Sequence, residues 1–94
     1  MVYIDKVHYE TDSYGYRYIA NVTWTNTFGD WAENTCTKQQ MINFINANPN
    51  STKTKYVRNG RWVVGEDVHV VDNRYIRTDS NYIKDDNLEN LPEY

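Results

Sequence analysis

A shortage of aliphatic side chains constrains this chain more than any motif in it. Leu, Ile, Val and Phe together number 19 among 94 residues, close to the level at which a chain no longer buries enough apolar surface to fold. Nine Tyr and three Trp stand beside them, and the net charge is only −3. Aromatic rings are therefore the available core filling, and the expectation is a folded, aromatic-rich domain. A chain of this length forms one domain and buries roughly 60 to 65% of its unfolded surface. The core is small, and two domains are excluded.

Alternation is clearest at residues 17 to 24, where Tyr18, Ala20, Val22 and Trp24 point one way and Arg17, Ile19, Asn21 and Thr23 the other. Upstream, Val2 to Tyr9 is rich in β-branched and aromatic residues, and Asp12-Ser13-Tyr14-Gly15 carries turn chemistry, so the two segments read as a hairpin. Ile4 and Val7 have opposite parity, which calls for a bulge. A second turn at Asn26-Thr27-Phe28-Gly29-Asp30 returns the chain into a short strand from near Trp31, setting Trp24 and Trp31 across the turn from each other. Asn59-Gly60, between Lys55 to Arg58 and Arg61 to Val64, is the strongest hairpin signal, because both central residues need positive φ. Asp72-Asn73 marks a further hairpin between Val68 to Val71 and Arg74 to Thr78.

One helix is expected, Lys38 to Asn48. Thr37 caps it, Gln40 completes a capping box, Cys36 and Met41 take the staple positions, and Asn48-Pro49 ends it. Met41, Ile42, Phe44 and Ile45 form its apolar face. The fold class that follows is α+β: a mainly antiparallel sheet of about five to seven short strands with a single helix on one face. Residues 1–78 form this domain, and residues 79–94 an acidic C-terminal tail docked on it.

Charge is unevenly spread. Residues 53 to 78 carry six basic and three acidic side chains, and residues 79 to 94 carry one and five. A sequence pI of about 5.2 argues against a dedicated binder of duplex nucleic acid. With no run of 18 apolar residues and no basic-then-apolar leader, no membrane partner is expected and a cytoplasmic location is. The one cysteine, Cys36, has no internal partner and reads as a small buried hydrophobe rather than a reactive thiol.

Candidate metal ligands His8, His69 and Cys36 lack close spacing. Asp79-Ser80-Asn81 starts like a calcium loop, but Ile83 holds the next ligand position and Lys84 stands where the loop needs glycine. Phosphate-binding and nucleophile-elbow signatures are missing, and both histidines lie in strands as structural residues. No catalytic residue, metal or cofactor is expected. Tyr56, Arg58, Arg61, Trp62, Arg74, Tyr75 and Arg77 interleave aromatic and basic groups on two hairpins, the chemistry that stacks single-stranded nucleic acid or nucleotides. The competing reading, which we favour, has Trp62 and Tyr75 filling the core and Arg58 and Arg61 pairing with the acidic tail. In that tail Leu88, Leu91 and Tyr94 recur every three residues, either docking on the domain or serving a partner.

Tyr75-Ile76-Arg77-Thr78-Asp79-Ser80-Asn81, followed by Asp86-Asn87-Leu88-Glu89-Asn90-Leu91-Pro92-Glu93-Tyr94, resembles the C-terminal signature of a family of short, functionally uncharacterised bacterial domains. The resemblance is specific over roughly the last 20 residues and looser upstream, where the family shows an Ile-x-x-Val start, here Ile4 and Val7, a β-turn-β pair and one helix. It implies a fold pattern and no activity, and it leaves the insert around Tyr56 to Val64 unsupported. The expected function is a small non-enzymatic binding or regulatory module for a protein partner or small ligand, of a size suited to a mobile element. The alternative is single-stranded nucleic-acid or nucleotide binding. The sequence leaves open the ligand and the oligomeric state, a homodimer included.

Overall fold

A computed structural model describes residues 1–78, 84–89 and 91–94. In chain order these form β1 (Val2–Thr11), β2 (Arg17–Thr25), β3 (Asn34–Thr37), α1 (Lys38–Ala47), β4 (Thr52–Arg58), β5 (Arg61–Asp67), β6 (His69–Val71) and β7 (Tyr75–Arg77). The class is α+β, but the strands divide into a five-stranded sheet of order β3-β2-β1-β4-β5 and a separate pair, β6-β7. The larger sheet is mixed. After β3, α1 carries the chain back across the sheet, so β4 enters beside β1 in parallel, Val2 opposite Thr52, while the other neighbours are antiparallel.

Two irregularities in β1 and β2 decide which side chains reach the core. The bulge that Ile4 and Val7 require lies between Ile4 and Lys6. A second shift, with His8 opposite Asn21 and Tyr9 opposite Ile19, leaves Ala20 unpaired. An unpaired residue reverses parity beyond it. Ile19 and Val22, which strict alternation would set on opposite faces, are consequently both buried in one apolar cluster.

The helix starts as its sequence dictates. Gln40 N–H donates to Thr37 Oγ1 at 3.1 Å, and Thr37 N–H donates to Gln40 Oε1 at 2.9 Å. It ends at Ala47, one residue early, because Asn48 before Pro49 has left helical geometry at ψ 71°. Met41, Ile42 and Ile45 bury against Ile4, Val7, Ile19 and Val22, and Val68, Ile76, Leu88 and Leu91 complete the cluster. Among the described residues no helix is long and apolar enough to cross a membrane.

The described residues of the C-terminal segment join this core through Leu88 and Leu91 and are tied to it by one carboxylate. Asp86 is buried and accepts hydrogen bonds from Ile19 N–H at 2.9 Å, Ile76 N–H at 3.0 Å and Lys38 Nζ at 2.8 Å. Further on, Val7 N–H donates to the Pro92 carbonyl at 2.9 Å, and Tyr94 N–H donates to the Val7 carbonyl at 3.0 Å. The chain thus continues the sheet beside β1 where β4 has left it. Tyr94 itself is exposed, its ring 5.5 Å from that of His8.

The tryptophan pairing differs from expectation. Trp31 lies in the loop 26–33, not in a strand, and packs edge-on against Trp62 at 4.8 Å, while Trp24 faces the helix beside Met41 and Phe44. The cause is polar. Asp5, at the β1 bulge, accepts from Ala32 N–H at 2.7 Å and from Thr23 Oγ1 at 2.5 Å, which holds the loop down over the face opposite the helix.

Two substitutions rank these interactions. Thr37→Ala removes a cap and should cost about 1 kcal/mol, whereas Asp86→Ala leaves a half-buried lysine and two buried amides without their carboxylate and should cost about 3 to 5 kcal/mol. Urea denaturation of both variants measures the difference; equal costs would mean that the carboxylate is dispensable to the fold.

Candidate functional site

The β4–β5 hairpin follows from its turn. Asn59 at φ 53° and Gly60 at φ 75° form the two-residue loop, and Arg58 pairs with Arg61 across it. Successive pairs alternate faces. Tyr56, Arg58, Arg61 and Val63 therefore share one face, and Lys55, Val57, Trp62 and Val64 the other. Opposite Thr54 the register shifts, with Gly65 and Glu66 bulged. A side chain at Gly65 would stand 2.1 Å from Thr54 Oγ1, so the close approach at this bulge requires glycine.

The seven aromatic and basic residues do not converge on one surface. Tyr56, Arg58 and Arg61 come together, with the Arg58 guanidinium 5.6 Å from the Tyr56 ring centre. Trp62 lies on the reverse face. Arg74 and Tyr75 belong to the small sheet, where Lys38 and Arg74 approach the Tyr75 ring at 5.6 and 5.7 Å. Arg77 is buried and donates to the Asp85 carbonyl at 2.8 Å. Among the described residues Arg58 and Arg61 make no ion pair; the C-terminal segment instead pairs through Lys38 to Asp86, Arg17 to Glu93 and Lys84 to Asp72. His8 lies in β1, its Nδ1 hydrogen-bonded to the Tyr94 carbonyl oxygen, and His69 is exposed in β6. Asp79, Ser80, Asn81 and Ile83 lie outside the described residues.

Behind the hairpin sits a group that the sequence does not announce. Lys55 is fully buried, and its ammonium donates to the carbonyls of Thr27 at 2.9 Å, Phe28 at 3.2 Å and Asp30. Asp5 stands 3.8 Å away, and the Trp62 ring centre 4.2 Å. Three acceptors match the three protons of an ammonium. Burial lowers the proton affinity of Lys55, and Asp5 and Asp30 oppose that shift. The only sequence trace of this cluster is an acid inside the apolar run Val2 to Tyr9 and a lysine inside a strand.

Between the hairpin and the C-terminal segment lies a cleft of about 530 Å³. Tyr56 and Arg58 line it from β4, Gly65 and Glu66 from the bulge, Leu88 and Leu91 from the segment opposite, and Trp31 from the loop. A volume in this range suits a small molecule or a few residues of peptide. Trp31 and Val64 on its wall are each 44% exposed and Val57 is 42% exposed. Large apolar side chains grouped in the open around a cleft are characteristic of binding surfaces. Among the described residues no cluster of His, Cys, Asp and Glu forms a metal site.

The sequence profile of a family of proteins of unknown function, DUF3892, matches residues 26–92. The chain belongs to this family. The match spans the loop 26–33, the helix, the β4–β5 hairpin and the cleft's C-terminal wall, so it includes the hairpin that the tail resemblance left unsupported, and it does not reach Ile4 and Val7. No curated protein and no solved structure matches the chain.

A smaller apolar cavity, about 190 Å³, lies under the helix and is lined by Val2, Trp24, Cys36 and Met41 among others. Burial raises the Cys36 thiol above its usual range, which lowers the thiolate fraction at neutral pH. Iodoacetamide at pH 7 should accordingly modify Cys36 more slowly in the folded protein than in urea. Equal rates in a mass-spectrometric time course would contradict this environment.

Proposed function

We propose that this protein is a small, non-enzymatic binding module of the bacterial cytoplasm, whose ligand, a protein segment or a small molecule, occupies the cleft between the β4–β5 hairpin and the C-terminal segment. The observation that carries the reading is the exposure of Trp31, Val57 and Val64 around a cleft into which Tyr56 and Arg58 project. In a chain with 19 Leu, Ile, Val and Phe residues, valines left at the surface lower stability unless something covers them. Tyr56 supplies a rigid amphipathic wall and Arg58 an anion partner beside it, the residue types that dominate binding energy where they are buried by a partner.

A second reading has support of its own. Tyr56, Arg58 and Arg61 share one face, with the Arg58 guanidinium beside the Tyr56 ring, and a ring with basic neighbours can stack a base while they hold its phosphates, with stacking worth roughly 1 to 3 kcal/mol per base.

Titration of isotope-labelled protein distinguishes the two. A library of small aromatic acids and short peptides should shift the amides of Tyr56, Gly65 and Leu91, and Tyr56→Ala should weaken the best ligand by about tenfold or more. A short oligothymidine that binds at low salt, is released by added salt and is lost in Arg58→Ala would favour nucleic acid instead. No shift at the cleft with any probe would sink the binding reading.

A further inference from the structure

The hairpin offers a second contact besides the cleft, its outer backbone edge. Strand β5 ends the five-stranded sheet, and among the described residues no strand pairs with it on its outer side. Its hydrogen-bonding pattern follows from the turn. A two-residue loop is closed by a pair that exchanges both backbone bonds, and such pairs then alternate with pairs that exchange none. Arg58 with Arg61 and Tyr56 with Val63 are the bonded pairs; Val57 with Trp62 and Lys55 with Val64 are the open ones. The N–H and C=O groups of Trp62 and Val64 therefore point outward, away from β4. They are spaced as an incoming strand requires. The bulge at Gly65 and Glu66 interrupts this edge beyond Val64, which confines it to Arg61 through Val64.

We propose that β5 receives an extended peptide as a sixth strand, paired with Trp62 and Val64 and carrying alternate apolar and acidic side chains. The two faces set that alternation. Residues of the incoming strand beside Trp62 and Val64 meet the apolar face, where Val57 and Val64 are exposed and Trp31 packs on Trp62. Residues beside Arg61 and Val63 meet the face of Arg58 and Arg61, which make no ion pair among the described residues. Acidic groups there are matched in charge, and lysines would be repelled. Strand addition draws affinity from the backbone and specificity from alternate side chains. The edge arrives organised, because the Lys55 ammonium beneath Trp62 and the loop above it fix the strand before any peptide binds.

This inference rests on the reading of the hairpin as the binding element: it shares Trp31, Val57 and Val64 with the cleft and adds the backbone edge of β5. The probe is acetyl-Glu-Val-Glu-Val-Glu-Val-amide, with the lysine-for-glutamate peptide as control, titrated into isotope-labelled protein. The glutamate peptide should slow exchange of the Trp62 and Val64 amides while leaving those of Arg61 and Val63, already bonded to β4, little changed; the lysine peptide should not. Val64→Pro removes an outward N–H without touching the β4 ladder, so the variant should melt close to the parent while binding roughly tenfold more weakly. Unchanged exchange at Trp62 and Val64, or undiminished binding by Val64→Pro, would overturn the proposal. Shifts confined to Tyr56, Leu88 and Leu91 would also overturn it, while leaving the cleft reading standing.

Discussion

One carboxylate organises the larger part of this molecule. Asp86 accepts from a backbone amide of β2, a backbone amide of β7 and the Lys38 ammonium at the start of α1. Each of these groups needs it. The Ile19 amide lies beside the Ala20 bulge, where the ladder with β1 is interrupted, and a buried donor left unpaired there would cost about 1 to 3 kcal/mol. The β6–β7 pair is a two-stranded ribbon of three residues a side, a size that is marginal alone in water. The C-terminal segment stabilises it with Asp86, and with Asn87, whose N–H donates to the Ile76 carbonyl at 2.9 Å. Leu88 then enters the core that these bonds have assembled.

The opposite face of the sheet is held by the reverse arrangement, a buried cation among main-chain acceptors. Lys55 gathers three carbonyls of the loop 26–33, and Asp5 takes a loop amide. A chain short of aliphatic residues has little left to pack on a second face once the helix side is filled. It closes that face with a polar cluster and two indoles. Such a cluster is directional where apolar packing is not, since every proton on the ammonium has one acceptor. The loop's position, and with it Trp31, follows from that geometry.

Local signals in the sequence were therefore legible and these two long-range charges were not. The Thr37 capping box, the Asn59-Gly60 turn and the Asp72-Asn73 turn each depend on residues within a few positions of one another, and each formed where the sequence places it. Parity failed at Ile19 because the bulge at Ala20 is set by pairing with β1, not by anything within β2. Trp31 escaped prediction for a similar reason: Asp5 and Lys55, which position its loop, lie 26 residues before and 24 after it. The parallel β1–β4 pair depends on where the helix returns the chain, which periodicity does not encode. Of the candidate binding residues, the turn brought Tyr56, Arg58 and Arg61 together because hairpin register is local, and Arg74 and Tyr75 went elsewhere because they belong to another hairpin.

What the hairpin exposes is best understood against what the chain can spare. Ile4, Val7, Ile19, Val22, Ile42, Ile76 and Leu88 are buried almost completely, so most of a scant aliphatic supply is spent on one core. Val57 and Val64 are nonetheless left beside Trp31 on a projecting hairpin. A flexible loop with such residues would collapse onto the body to hide them. Here the strand is anchored by the buried Lys55, and Lys55 and Trp62 alternate with the exposed valines on the same face. The anchor that closes the second face is thus also what keeps its apolar rim rigid and open, and a rigid open rim loses little conformational entropy when a ligand covers it.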